Sequence, residues 1–247
     1  MIQWLRSLLF TLIVYPVMMI VALVYAPWAL FSPEGAAAAA KTWARFTIFM
    51  ARVLLGIKSE IRGTPPTGEV LLAAKHQSFL DILIIFVAVP RARFIMKKEL
   101  TKIPVFGQYA LRLGCIPVDR GRRGAAIRSM LQDVRGGKDI AGQLVIYPQG
   151  TRTAPDEDAP YKLGTAALYQ DLGQPCVPVA CNVGLFWPRK GVKKNPGTAV
   201  IEFLPEIPAG LSNGELMSRL KAAIEPASDA LMAEAGFHRT PRITPDN

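Results

Sequence analysis

The chain has 247 residues, of which 51% are hydrophobic, and 29 Lys and Arg against 19 Asp and Glu give a net charge of +10. Such content excludes a disordered tail protein and a small disulfide scaffold, and the length suits one large domain or a domain with a helical appendage, since domains usually run roughly 50 to 250 residues. High apolar content on a basic chain points to a globular domain held at an anionic surface or working on an anionic substrate.

The first element lies between Arg6 and Glu34, where SLLFTLIVYPVMMIVALVYAPWALFSP carries no charge and exceeds the ~20 apolar residues that span a bilayer. It is too long for a signal-peptide core and lacks a clear cleavage site, so it is expected to stay on the protein. Pro16 and Pro27 inside it leave two forms open, a spanning helix and a bent helix half inserted at the interface. From Ala36 to Gly56 the chain mixes Lys41, Arg45 and Arg52 with Trp43, Phe46, Phe49 and Val53, which reads as a second, amphipathic anchoring helix; a core helix of the following domain is the alternative.

From Ile57 onward short β-rich runs alternate with helical stretches. IKSEIRG, EVLLAAK, ARFIM, CIPVDR, QLVIYP, CVPVACNV and TAVIEFL are the strands, with FLDILIIFVAV, IPVFGQYALRLG, GAAIRSMLQDVRGG, YKLGTAALYQDLG and SNGELMSRLKAAIEPASDALMAEAG as helices between them. The alternation predicts an α/β domain built on one mixed sheet with flanking helices. Its organisation is anchoring helices over 1–56, the α/β domain over 57–237 and a loose tail over 238–247, which leaves His238 a solvated bystander. Cys115, Cys176 and Cys181 are odd in number and lack a Cys-x-x-Cys pair, so they read as small buried hydrophobes in a reducing compartment, without disulfides and without a metal site.

Four spots collect polar residues at strand ends, where open α/β sheets build sites. In KHQSFLD, His76 leaves a strand and Asp81 follows five residues on. If His76 sits in the turn, Asp81 in the first helical turn reaches back, fixes the imidazole tautomer and leaves the other nitrogen free to take a proton from a hydroxyl. A capping or packing histidine is the plainer alternative. Ser78 reads as a helix cap, because no Gly-x-Ser-x-Gly elbow is present. FIMKKEL and GCIPVDRG place Lys97, Lys98 and Arg120 near strand ends, where they hold an anion or merely face solvent. In YPQGTR, Gly150 allows close backbone approach and Arg152 offers a planar fork for a phosphate, with a generic strand-exit turn as the alternative.

In this order the four spots resemble the glycerolipid acyltransferase family, in particular bacterial 1-acylglycerol-3-phosphate acyltransferases. KHQSFLD is similar to its His-x-x-x-x-Asp block, FIMKKEL with GCIPVDRG to its second, YPQGTR to its third and PCVPVACNVG to its fourth, over roughly Val70 to Pro208. The resemblance implies that His76 deprotonates an acceptor hydroxyl, that Asp81 orients it, and that the oxygen attacks an acyl thioester without a covalent acyl-enzyme or a cofactor. It implies that Lys97, Arg120 and Arg152 hold a glycerol phosphate, that Gln149, Gly150 and Thr151 complete that loop, and that Pro178 shapes the acyl or thioester side. Where the family usually carries Glu, this chain has Gln149, an amide that cannot serve as a base.

The partners implied are lysophosphatidate as acceptor and acyl-CoA or acyl carrier protein as donor, at the cytoplasmic face of a bacterial inner membrane. Arg189, Lys190, Lys193 and Lys194 are expected to dock the acidic donor or lipid headgroups. Another lysolipid, such as a lyso-ornithine lipid, is the sibling acceptor. A non-catalytic basic surface protein, even one that binds nucleic acid, would need aromatics along its cationic stripe, yet Trp4, Trp28 and Trp43 fall in the anchoring part.

Overall fold

The computed structural model describes residues 1–119, 123–136 and 142–239. Two helices come first, α1 (Ile2–Phe31) and α2 (Pro33–Met50), joined at Ser32, whose side chain caps α2 by accepting the backbone N–H groups of Glu34 and Gly35. A π-helical turn, Ala51–Leu55, then leads through left-handed Gly56 into the sheet. The helix α1 runs unbroken through Pro16 and Pro27.

The strands are β1 (Ile57–Arg62), β2 (Val70–Ala74), β3 (Ala92–Lys97), β4 (Ile116–Val118), β5 (Gln143–Ile146), β6 (Cys176–Cys181) and β7 (Gly197–Phe203). They form one seven-stranded sheet in the order β1-β7-β6-β2-β5-β3-β4. Among the described strands β6 and β7 pair antiparallel and every other neighbouring pair is parallel. The strands on either side of TPPTG are therefore not neighbours, because β7 and β6 lie between them. The remaining α-helices among the described residues are α3 (Leu80–Ala88), α4 (Phe106–Arg112), α5 (Arg123–Gly136), α6 (Gly164–Leu172) and α7 (Asn213–Glu234).

Side-chain parity explains the layers. A strand presents successive residues to opposite faces, and in β2 Val70, Leu72 and Ala74 join a core with α1, α2 and α3, while Leu71 and Ala73 join one with α5, α6 and α7. Both faces are covered, which is why β2, β5 and β6 read as continuous apolar runs rather than alternating ones.

Two helices begin later than their sequence pattern suggests. Pro104 and Val105 make a γ-turn, with Val105 at φ +65° and the N–H of Phe106 donating to Pro104 at 2.7 Å, so α4 starts only at Phe106. Residues 161–163 dock on the preceding loop instead of joining α6, the N–H of Lys162 donating to the carbonyl of Pro148 at 2.8 Å. The tail from 240 on lies outside the described residues. At 239, inside the tail expected over 238–247, Arg239 pairs with Asp158 and Asp229. The three cysteine thiols are buried and unpaired with one another, and burial pushes Cys115 to about 11 and Cys176 to about 12.

Candidate active site

Strand β2 ends against β6, the N–H of Lys75 donating to Val179 at 2.9 Å, and His76 follows in the turn before α3. Asp81 is fully buried in the first turn of that helix. Its two oxygens lie 3.0 and 3.2 Å from Nδ1 of His76. One of them also accepts the N–H groups of Gln77 and Ser78 at 2.9 and 2.8 Å, and the other accepts the hydroxyl of Tyr147 at 3.1 Å. The turn between strand and helix thus wraps its own backbone around the carboxylate, and these donors offset the cost of burying it. Ser78 stands one residue before the N-cap position, which is Phe79, and its hydroxyl accepts the N–H of Leu80 at 3.1 Å.

A carboxylate only accepts, so Nδ1 of His76 carries the proton and Nε2 presents a lone pair. Among the described residues Nε2 has no hydrogen-bond partner, and the side chain keeps 12% of its surface exposed. The Tyr147 ring stacks on the imidazole at 3.8 Å between centroids and 19° between planes. Burial, and then the Asp81 charge, push the Tyr147 hydroxyl well above its ordinary range, which keeps it a donor. Tyr147 was visible in the sequence only as the end of a strand; its ring and hydroxyl both hold the His76–Asp81 pair.

The parallel register carries the rest of the constellation. Leu71 of β2, Leu144 of β5 and Arg93 of β3 lie side by side, so Lys75, Pro148 and Lys97, each four residues on, emerge level at one end of the sheet. Lys97 stands two strands from β2, about 10 Å at the usual spacing. Its side chain is 54% exposed and 3.5 Å from Glu99. The 148–153 turn is bonded to the histidine, since Thr153 donates to the carbonyl of His76 from its N–H at 2.8 Å and its hydroxyl at 3.2 Å. Gly150 in that turn has φ +69°, a left-handed conformation that a side chain would strain. Thr151 and Arg152 are half-buried beside it, and Arg189 donates to the carbonyl of Arg152 at 2.8 Å.

Some expectations change. Pro178 lies inside the sheet, opposite Ala73 of β2, and its carbonyl accepts the N–H of Leu204 where β6 pairs with β7. Lys194 leaves the group of docking cations: it is 5% exposed, with its ammonium over the rings of Phe10 and Trp187. Arg120 lies outside the described residues. Gln149 is 2% exposed and faces away from solvent. No sequence signal singled out Lys75, Tyr161 or Glu225, which meet behind the turn.

The sequence model of the Acyltransferase family matches residues 57–182. The chain belongs to the Acyltransferase family. The family match thus runs from β1 to the end of β6 and takes in His76, Asp81 and the 148–153 turn. A 1-acyl-sn-glycerol-3-phosphate acyltransferase from Pseudomonas aeruginosa is 28% identical to this family member over 78% of the chain and 76% of the relative. One from Cocos nucifera is 26% identical over 81% of the chain, which spans 64% of that relative, just under two thirds. The crystal structure of PlsC, the 1-acyl-sn-glycerophosphate (LPA) acyltransferase from Thermotoga maritima, shares the fold, with a TM-score of 0.74, 20% identity and coverage of 93% of this chain and 98% of that one.

Proposed function

We propose that this acyltransferase moves a fatty acyl group from an acyl thioester, acyl-CoA or acyl carrier protein, to the free hydroxyl of 1-acylglycerol-3-phosphate, producing phosphatidate. The observation that carries the reading is the imidazole held through Nδ1 by a buried carboxylate, with Nε2 unpartnered at the end of a sheet edged by cations. Nε2 of His76 takes the hydroxyl proton as the oxygen attacks the thioester carbonyl, and the resulting imidazolium is stabilised by Asp81. When the tetrahedral intermediate collapses, the C–S bond breaks and the thiolate leaves, with the imidazolium as the source of its proton. Arg152 and Lys97 are assigned to the acceptor phosphate, and the named activity of the relatives supports that choice.

The anchor supports a membrane substrate. The helix α1 is the one described helix long and apolar enough to cross a membrane, but it lies along the domain. Gln3 donates to the carbonyls of Leu55 and Lys194, Trp43 donates to that of Val14, and Tyr109 to that of Ala22. Tethers from residue 3 to residue 22 cover about 28 Å of helix. Such a helix fits embedding in one leaflet: Leu5, Leu9, Leu12, Ile20 and Leu23 are exposed on its outer side. A cleft of ≈ 610 Å³ beside α2 is lined by Arg45, Phe49, Arg52, Lys58 and Glu60, a mixture with more cations than anions that suits lipid headgroups at the same interface.

Thiol release from acyl-CoA and from acyl carrier protein, with lysophosphatidate as acceptor, tests the reading in purified protein. His76→Ala should abolish turnover, and Arg152→Ala should chiefly raise KM for the acceptor, by about 10-fold or more for a lost charge-assisted contact. Full activity in His76→Ala, or preference for a phosphate-free lysolipid, would reject it.

A further inference from the structure

Behind the 148–153 turn, three side chains converge on one carboxylate from the C-terminal helix. Glu225 of α7 accepts from Nζ of Lys75 at 2.6 Å, from the hydroxyl of Tyr161 at 2.8 Å and from Nε2 of Gln149 at 3.5 Å. Lys75 immediately precedes His76, and strand parity sends its side chain to the α7 face while His76 meets α3 and Tyr147 on the other. The ammonium is 3% exposed, and among the described residues Glu225 is the carboxylate that neutralises it. Because a carboxylate can only accept, Glu225 also orients the Gln149 amide, nitrogen toward α7, leaving Oε1 buried without a donor. Through Tyr161 the network reaches the segment whose Lys162 backbone bonds Pro148, so both flanks of the turn are tied to the same group.

We propose that Glu225 is a positioning residue for acyl transfer: it holds the strand end behind His76 and the Gln149 side of the acceptor turn together, and it balances the Lys75 charge next to the base. The inference rests on the reading of His76 as that base. A buried ion pair adds little net stability over apolar packing, so fold stability alone does not account for placing one here. The reaction does account for it. The imidazole must become an imidazolium as it accepts the proton, and an unbalanced ammonium on the order of 10 Å away opposes that step by roughly tenfold at an effective dielectric near 20.

The site also predicts a charge swap. Gln149→Glu alone sets two carboxylates against each other, whereas Gln149→Glu combined with Glu225→Gln returns a single carboxylate to the same cluster. With purified full-length enzyme in mixed micelles, acyl-CoA and lysophosphatidate, Glu225→Gln should lower kcat by about tenfold with little change in KM for the donor. Gln149→Glu should also be impaired, here because repulsion between the two carboxylates displaces the turn and not through the charge beside His76, and the double variant should return to within about threefold of the parent, a non-additive outcome. Unchanged kcat in Glu225→Gln, or a folded double variant no better than the product of its singles, overturns the proposal. Should Glu225→Gln fail to fold, the double variant carries the test: recovery supports the proposal, and a folded but impaired enzyme rejects it. His76→Ala, run in parallel, keeps the two ideas apart. Its inactivity beside normal Glu225 variants removes only the role of Glu225, while its activity removes the base.

Discussion

Replacing Asp81 by Asn changes one atom and should reverse the imidazole tautomer. The carboxylate accepts from Nδ1 of His76, from two backbone N–H groups and from Tyr147. In the amide, the single oxygen is claimed by the N–H groups of Gln77 and Ser78, which cannot turn away, and the NH2 group then faces Nδ1. A donor there requires Nδ1 to accept, which moves the imidazole proton to Nε2, the nitrogen proposed to take the substrate proton. Loss of a positioned general base costs roughly 10²- to 10⁴-fold, about 3 to 5 kcal/mol of barrier. Fold stability should drop less, by about 1 to 3 kcal/mol for a lost charge-assisted hydrogen bond, and KM for lysophosphatidate should stay near the parent value because Arg152 and Lys97, proposed to hold the phosphate, are untouched. Steady-state thiol release gives kcat and KM, and a melting curve checks folding. A well-folded Asp81→Asn enzyme with more than about a tenth of the parent kcat would refute the tautomer argument, since that loss is smaller than the least expected for a general base.

Tyr147→Phe keeps the stacked ring and removes only the hydroxyl bond to Asp81; kcat should fall by about fivefold, the worth of one hydrogen bond near 1 kcal/mol, and a loss beyond 100-fold would mean that the hydroxyl touches substrate. Gly35→Val places a side chain where a Cβ would lie 2.7 Å from the backbone of Trp28 and Ala29. It should spread α1 from α2 and lower both Tm and co-sedimentation with anionic vesicles; unchanged values would show that the two helices do not need this close approach. The thiol of Cys115 ionises more readily once unfolding exposes it, because burial lifts it from 9.0 to about 11 in the native state. Its stabilising effect is therefore complete below pH 9 and is lost as pH rises toward 11, with a slope of up to about 1.4 kcal/mol per pH unit. Melting curves across that window should fall less steeply in Cys115→Ala, and parallel curves would remove Cys115 as the cause.

Composition and periodicity located nearly every strand and helix, because each buries its own run of apolar residues with its own spacing and announces its end with Pro, Gly or charge. The His76–Asp81 pair was legible as one of two alternatives, favoured by the likeness of KHQSFLD to a family block, and the structure has Asp81 0% exposed and bonded to Nδ1 of His76. The late start of α4 was not, because a γ-turn at Val105 replaces the helical turn that the apolar pattern suggests.

What the sequence determined by itself was the set of elements, the charge of the molecule and the polar residues at strand ends. The tertiary structure decided which of those residues work together. Insertion of β5 between β2 and β3 aligned the 148–153 turn with His76, and strand parity sent Lys75 to α7 and His76 to α3. Only folding paired Lys75 with Glu225, 150 residues away, put Tyr147 on the imidazole and buried Lys194 under α1. It also laid α1 along the domain rather than away from it. Local patterns follow from backbone geometry and the segregation of apolar side chains, which neighbouring residues report. Contacts between distant segments depend on strand order and register, and a single chain read residue by residue carries no record of either.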